Sequence, residues 1–342
     1  MSLQEPALVT LGTRLCPWLA APLERLETAR RSERLGHAWL IHGPAGTGKL
    51  NLALVFAHRL LSGTESAPPD LDAEAAAAAM RERRAPGDHH PDLHFVFPQE
   101  DKRTIGIEQI RDLSQSLTLK GFRGAAKVAV VEPAEAMTVA AANALLKTLE
   151  EPAEQTYLLL ISHQPDRLLP TIRSRCQGLA VEPPPSGIAA EWLGLDPSEA
   201  HPVLLVSGRA PLQAVELMDP EKLAFLNNLE EQLDLISQSK LDPKAVAEEW
   251  VRKDVEQALC WLIRRLEHAI RERSASGAHT TAVTPPGGAR LHNAWLVLPV
   301  RALFERRDAA EKLLDRLGSG INVELALHAL LLDFRLERGR RT

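Results

Sequence analysis

The sequence has little of what several protein classes require. It contains only three cysteines, Cys16, Cys176 and Cys260, and their wide spacing indicates neither a cysteine-ligated metal site nor a disulfide framework. No apolar run approaches about 18 residues, and residues 1–15 hold no basic segment followed by an apolar one. We therefore expect no membrane span and no signal peptide, and a cytoplasmic location fits both absences.

An excess of positive charge is also missing. The formal net charge is −5, which argues against a dedicated nucleic-acid-binding protein with a strongly basic face. The six tryptophans are scattered along the chain, so they predict core or interface positions and not a platform on which bases stack.

The first half of the chain alternates strands with helices. Short apolar strands are predicted at 38–42, 93–97, 127–131 and 157–161. Amphipathic helical patterns between them predict an α/β fold, a parallel sheet with helices on both faces. After a proline-rich linker at 181–187, helical patterns alone remain, at roughly 188–236, 243–273, 290–317 and 321–337.

The helix that follows the third predicted strand has clear start and stop signals. Thr138 can cap its first turn, and Pro152 ends it. The residues predicted to face the sheet as one apolar stripe are Val139, Ala142, Leu145, Leu146 and Leu149.

Residues 43–50, "GPAGTGKL", match a phosphate-binding loop at every position but the last. In such a loop the backbone N–H groups and the following helix N-terminus hold phosphates, and the lysine adds a charge. Gly43, Gly46, Gly48 and Lys49 would supply these groups. The last position should carry a hydroxyl for Mg²⁺, and it is Leu50. The glycines could instead only form a strand-to-helix turn.

A second part of a hydrolytic site is missing where the third strand ends. Hydrolases of this type place two acidic residues there, one for Mg²⁺ and one that activates water. Glu132 ends the strand, but Pro133 follows and cannot act as a base. Glu135 is expected to be a solvated surface charge. Leu50 and Pro133 together predict that this chain does not turn over nucleotide.

Several stretches resemble one family. "NALLKTLEEP" at 143–152, followed by "LLPTIRSRC" at 168–176, is similar to the clamp-loader branch of the AAA+ ATPases. The chain resembles the delta-prime members of that branch, from bacterial DNA polymerase III, over nearly its whole length. The stretches that carry this resemblance are "RLGHAWLIHGPAGTGK" at 34–49, "HPDLH" at 90–94, "SGRAPLQAVEL" at 207–217 and "GINVELALHALLLDF" at 320–334.

The resemblance implies three domains and a set of partners. The domains are a RecA-like AAA+ domain at 1–178, a helical lid at 179–236 and a helical collar for oligomerisation at 237–342. The partners are the motor subunits gamma or tau and the delta subunit, with the sliding clamp and primed DNA reached through the complex. Such a subunit belongs to the polymerase III holoenzyme without hydrolysing ATP or polymerising DNA itself.

The resemblance also assigns residue roles. Lys49 matches the loop lysine, and Pro133 stands where the motors have a catalytic glutamate. Pro211 stands where their lid has a phosphate-sensing arginine, and Arg209 lies two residues away. Arg175, in "SRC", matches the arginine finger, which reaches into the ATP site of the next subunit. The implied subunit gives an arginine to a neighbour and has no working ATP site of its own, and whether it binds ATP at all is doubtful.

Many ATPases of this branch carry a four-cysteine zinc module before "HPDL". Residues 62–88 contain no cysteine, so we expect no zinc. A substitute metal site is conceivable at His89, His90, Asp92 and His94, but a polar loop that enters a strand is favoured. Ser162 and His163 stand where motors sense phosphate, and here they are expected to be structural.

Two other functions stay open on the sequence alone. One is an independent phosphate-loop ATPase with a DNA-related function, which would bind Mg²⁺–ATP by other means. The other is a monomeric DNA-binding adaptor. ATPase measurements test the first, and the salt dependence of DNA binding tests the second.

Overall fold

The computed structural model describes residues 11–63, 66–76, 90–99, 102–119, 126–196, 203–204, 207–218, 220–275, 298–317 and 320–335. His89 and most of the predicted loop at 274–288 lie outside these ranges. Of the alanine run at 73–79, residues 73–76 are described and are helical. No helix in the described ranges is long and apolar enough to cross a membrane.

The chain forms two compact units. The first comprises Met1–Ile188 and Ala210–Val215, and the second comprises Ala189–Arg209 and Glu216–Thr342. The predicted division at residues 178 and 236 into core, lid and collar stays a prediction.

A five-stranded parallel sheet is the centre of the first unit, in the order β2-β3-β4-β1-β5. The strands are β1 (Ala38–His42), β2 (Leu93–Val96), β3 (Lys127–Val131), β4 (Thr156–Ser162) and β5 (Gln177–Ala180). β1 lies between β4 and β5, and its last residue, His42, is paired with Ser162 and Ala180. The loop that follows β1 therefore begins in the middle of the sheet's carboxyl edge, where parallel sheets place their ligand sites.

Helices cover the sheet on both faces, and this confirms the predicted α/β class. The helices along this part of the chain are α1 (Ala20–Arg31), α2 (Lys49–Ser62), α3 (Ile107–Thr118), α4 (Val139–Glu150), α5 (Pro170–Arg173), α6 (Ser186–Leu193) and α7 (Pro211–Glu216), of which α6 continues into the second unit from Ala189. The side chains of α3 and α4 form one core with alternate residues of the strands, such as Ala129, Val131 and Leu160. α2 packs against β1, β3 and β4.

The structure of this unit differs from the sequence predictions at one strand and at one helix residue. β5 was not predicted, because its four residues bury only Leu179 and it lies at the edge of the sheet. Val139 was predicted to face the core, but it is 65% exposed. The buried residues of α4 (Ala141, Ala142, Leu145 and Leu149) lie on a face centred roughly 100° around the helix from Val139, at about 100° per residue.

The second unit is helical in its described residues. Its helices are α8 (Pro220–Ser237), α9 (Pro243–Lys253), α10 (Val255–Ala275), α11 (Val300–Asp315) and α12 (Val323–Leu332). Trp250 and Trp261 are buried in its core and meet edge to face, with ring centroids 6.5 Å apart. The helical pattern predicted at 243–273 is two helices, because Asp254 takes an extended backbone conformation and accepts the amide hydrogen of Gln257 through its side chain.

Candidate functional site

The phosphate-loop sequence forms a tight turn between β1 and α2. Gly43 has φ 146°, and a Cβ on it would lie 2.1 Å from the carbonyl oxygen of Val181, so only glycine fits there. The Gly43 amide donates to the carbonyl of Ser162 at the end of β4, which ties the start of the loop to the sheet. Gly48, also at positive φ, is the residue before the first turn of α2. The strand, loop and helix context of a phosphate loop is therefore present.

Lys49 is buried, and its ammonium group bonds to the loop itself. Nζ donates to the carbonyl oxygens of Gly43 (2.8 Å) and Pro44 (2.5 Å). Burial lowers the pKa of Lys49 to about 8, and the negative charges of Glu132 and Glu135 oppose that shift. The lysine is thus a partly desolvated cation next to two carboxylates.

No hydroxyl of the loop is available where Mg²⁺ would bind. Leu50, in the hydroxyl position, is buried and apolar. Thr47 has the one hydroxyl between residues 43 and 50, and it donates to the carbonyl of Pro44 at 3.0 Å. The carbonyl of Thr47 in turn accepts the indole N–H of Trp18 at 2.9 Å. The hydroxyl and the carbonyl of Thr47 therefore both have partners from the protein.

The N-terminal part of α7 lies against the same loop. The Leu212 amide donates to the carbonyl of Gly46 at 3.1 Å. A Cβ placed on Gly46, whose φ is 73°, would lie 2.7 Å from Cβ of Gln213 and 3.1 Å from Cβ of Ala210. The backbone at Gly46 is therefore covered by protein. This segment, Ala210–Val215, belongs to the first of the two units.

The carboxyl edge beside the loop carries two glutamates and a histidine. Glu132 is buried after β3, and its Oε1 lies 3.9 Å from Nε2 of His163. Glu135 accepts the backbone N–H of His163 through Oε1 at 2.9 Å. The expectation that Glu135 is a solvated surface charge is therefore wrong, because the turn at Ala134–Ala136 brings its carboxylate back onto the end of β4. Pro133 separates the two glutamates and offers no acid–base group.

Arg175 lies in the connection from α5 to β5. Its backbone amide donates to the carbonyl of Ile172, which is fully buried. Its Nη2 lies 2.5 Å from Oε1 of Glu150, the last residue of α4, and its Nη1 donates to the carbonyl of Thr171 at 3.0 Å. The side chain keeps 35% of its surface exposed, so the guanidinium is bonded through two of its nitrogen atoms while part of the side chain stays accessible to solvent. Glu150 has no signal as a partner in the sequence, because it is adjacent to Arg175 in space but 25 positions earlier in the chain.

Cys176 follows Arg175 directly and is partly buried. Burial raises the pKa of its thiol to about 12, so it is a protonated thiol at neutral pH and no nucleophile. The Cys176 side chain packs against the core that α3, α4 and the strands form.

The histidine-rich entry to β2 has a different arrangement. Asp92 is buried, and its amide lies 3.2 Å from Nδ1 of His90. Burial lowers the pKa of His94, and the charge of Asp92 opposes this effect. Among the residues that the structure describes, which omit His89, no group of three or more His, Cys, Asp or Glu side chains has the arrangement of a metal site.

Known proteins that are similar in sequence indicate the family of this chain. A family model described as "DNA polymerase III, delta subunit" matches residues 19–185. The chain is 44% identical over 190 residues to the DNA polymerase III subunit delta' of Pseudomonas aeruginosa, which is 53% of this chain and 55% of that protein. It is 32% identical over 275 residues to the subunit delta' of Yersinia pestis, which is 75% of this chain and 79% of that protein.

Among the similar solved structures is one that aligns with most of the chain at low identity. It is a DNA polymerase III gamma subunit-related protein of Thermotoga maritima, with 21% identity, a TM-score of 0.42 and coverage of 91% of this chain and 98% of that one. The match to the Pseudomonas aeruginosa relative, by contrast, spans little more than half of that protein's length.

Proposed function

Because the chain belongs to the family of DNA polymerase III delta-prime subunits, we propose that it is a non-hydrolysing clamp-loader subunit that gives Arg175 to a neighbour's ATP site. The contrast between its two candidate sites carries this proposal. Its own loop has Leu50 for the metal hydroxyl, Pro133 for the base and a covered Gly46. Its SRC arginine, however, is accessible and oriented.

The surroundings of the loop support a site without nucleotide. A phosphate needs free backbone N–H groups, a lysine that points to it and space over the loop. Here Lys49 donates to two carbonyls of the loop, and Gln213 and Ala210 lie close to Gly46. We propose that the chain uses no cofactor and holds no zinc, since residues 62–88 lack thiolates.

The proposed partners are a motor subunit of the gamma or tau type, the delta subunit, the sliding clamp and primed DNA through the complex, all in the cytoplasm. An apolar stripe on the last described helix supports assembly. Leu325 is 63% exposed and Leu332 40% exposed on α12, and with Ala329 they follow the i, i+4, i+7 spacing of one helix face. Such a face is suited to burial against another helix.

Replacement of Arg175 tests the proposal directly. An arginine finger stabilises charge that develops on the γ-phosphate oxygens and is worth about 10³–10⁵ in rate at the site it serves. Arg175→Ala should leave the chain folded and assembled, because a partly exposed ion pair adds little stability. The assembled complex should lose hydrolysis at one motor site, which gives a partial loss of DNA-stimulated ATPase and a larger loss of clamp loading.

Arg175→Lys should not restore the activity, since an ammonium lacks the planar fork of donors. Arg173→Ala is a matched control, because Arg173 lies two residues away in an exposed ion pair with Asp166. An Arg175→Ala complex that assembles, hydrolyses and loads at the unmodified rate would refute the finger assignment.

A further inference from the structure

The ion pair between Glu150 and Arg175 connects two motifs that the sequence places apart. Glu150 ends α4, within "NALLKTLEEP", and Arg175 lies in "SRC". In the structure their charged atoms, Oε1 and Nη2, are 2.5 Å apart, and within the described residues Arg175 is the one cation that pairs with Glu150. Neither motif by itself predicts this contact.

Both ends of the pair lie next to buried residues of the unit. Leu149, next to Glu150, is buried, and its carbonyl lies 2.8 Å from Nε2 of His37. On the other side, Ile172 is buried and accepts the backbone amide of Arg175. A side chain with four rotatable bonds is thereby held at two points, Glu150 and the Thr171 carbonyl.

Helix stability does not account for a glutamate at this position. The C-terminal end of a helix has partial negative charge, which disfavours carboxylates, and Glu151 follows immediately. Lys147, in the last turn of the same helix, makes no ion pair with Glu150 in the described structure. The one charged partner of Glu150 in the described structure is therefore the guanidinium of Arg175.

We infer that Glu150 is a positioning residue for Arg175, which holds one edge of the guanidinium so that its remaining N–H groups face an incoming polyphosphate. The inference rests on the proposed finger role. Glu150 touches neither nucleotide nor the reacting atoms. Its effect is to restrict the rotamers of the Arg175 side chain in advance. The side chain then loses less conformational entropy when it contacts the transition state of the neighbour's ATP.

The experiment uses the reconstituted complex, with the loop lysine replaced in every motor subunit except the one that Arg175 serves. Single-turnover ATP hydrolysis is then measured as a function of ATP concentration. Glu150→Ala should lower the maximal rate on the order of tenfold and leave the half-saturating ATP concentration unchanged, because only transition-state contacts are misaligned. Glu150→Gln, which keeps a hydrogen-bond acceptor, should lose less than Glu150→Ala.

Two controls separate positioning from a structural effect. Asp166→Ala removes the neighbouring ion pair to Arg173 and should leave the rate unchanged. The thermal midpoint of Glu150→Ala should equal that of the parent chain. In an Arg175→Ala background, adding Glu150→Ala should cause no further loss, because the residue that it positions is already absent.

The outcomes distinguish the two claims. If Arg175→Ala has no effect, the finger proposal fails, and the inference about Glu150 fails with it. If Arg175→Ala abolishes the rate but Glu150→Ala keeps or raises it, the positioning inference alone is overturned. A further loss in the double variant would also overturn it, since Glu150 would then act without Arg175.

Discussion

At the scale of a single residue, the burial of Lys49 in its own loop changes the pKa of its ammonium group. Its pKa is lowered from 10.5 to about 8, mainly because burial disfavours the charged form. Between these two values the unfolded chain binds more protons than the folded chain, so the free energy of unfolding rises with pH. Below about pH 8 both states are protonated, and the full cost of burying the charge is present.

We therefore predict a pH-dependent difference between the parent chain and Lys49→Met. From pH 8 to 10.5 the unfolding free energy of the parent should rise relative to that of the variant, by about 3 kcal/mol in total at 1.36 kcal/mol per pKa unit. Urea unfolding of both chains at several pH values gives the measurement. A difference that stays constant, or falls, over this range would show that the ammonium is not desolvated.

Individual residues also show how much of the candidate site could be predicted from the sequence. Leu50, Pro133, Lys49 and Arg175 were identified from motif positions, because a motif fixes which residue type stands at each place. The contacts made around these positions were not identified. Glu150 reaches Arg175, Glu135 reaches His163 and Gln213 approaches Gly46 only through the fold. A contact between distant chain segments has no local signal in one sequence.

At the scale of the element, α4 begins where its sequence predicts. The Thr138 side chain accepts the amide hydrogen of Ala141 at 3.2 Å, and the helix ends at Glu150, two residues before Pro152. Thr138→Ala should lower the free energy of unfolding by about 1 kcal/mol, the usual cost of losing such a cap. Thr138→Ser keeps the hydroxyl and should cost less. Denaturant midpoints of the three chains provide the check, and equal midpoints for parent and alanine variant would contradict it.

Other elements show why prediction was only partial. Strands β1 and β3 were predicted at their observed bounds, because continuous apolar runs in a parallel sheet are buried on both faces. β5 has the sequence Gln-Gly-Leu-Ala, which carries no strand pattern of its own, and only the fold shows that it pairs with β1. Val139 was misplaced because the five apolar residues of the predicted stripe span a wider arc of the helix than the face that is buried in the structure.

For the whole molecule, the proposed function predicts an inactive isolated chain. With Mg²⁺ and ATP, the purified chain should show no hydrolysis above background, because Leu50 and Pro133 remove the metal hydroxyl and the base. Leu50→Thr alone should not create activity, since the base would still be missing. A turnover near 1 s⁻¹, the low end for phosphoryl-transfer enzymes, would contradict the proposal. Activity that persists in Lys49→Ala would come from a contaminating motor subunit and not from this chain.

The hydrogen bond from Leu212 to Gly46 has a consequence for how such a chain responds to metabolism. If the loop binds no nucleotide, as proposed, it has no equilibrium with the adenylate pool, and the conformation of this unit should be the same in starved and growing cells. Any dependence of a clamp loader on the ratio of ATP to ADP would then arise in the other members of the ring. This chain would supply them with one fixed boundary, and the position of Arg175 would stay constant through every cycle of its neighbours.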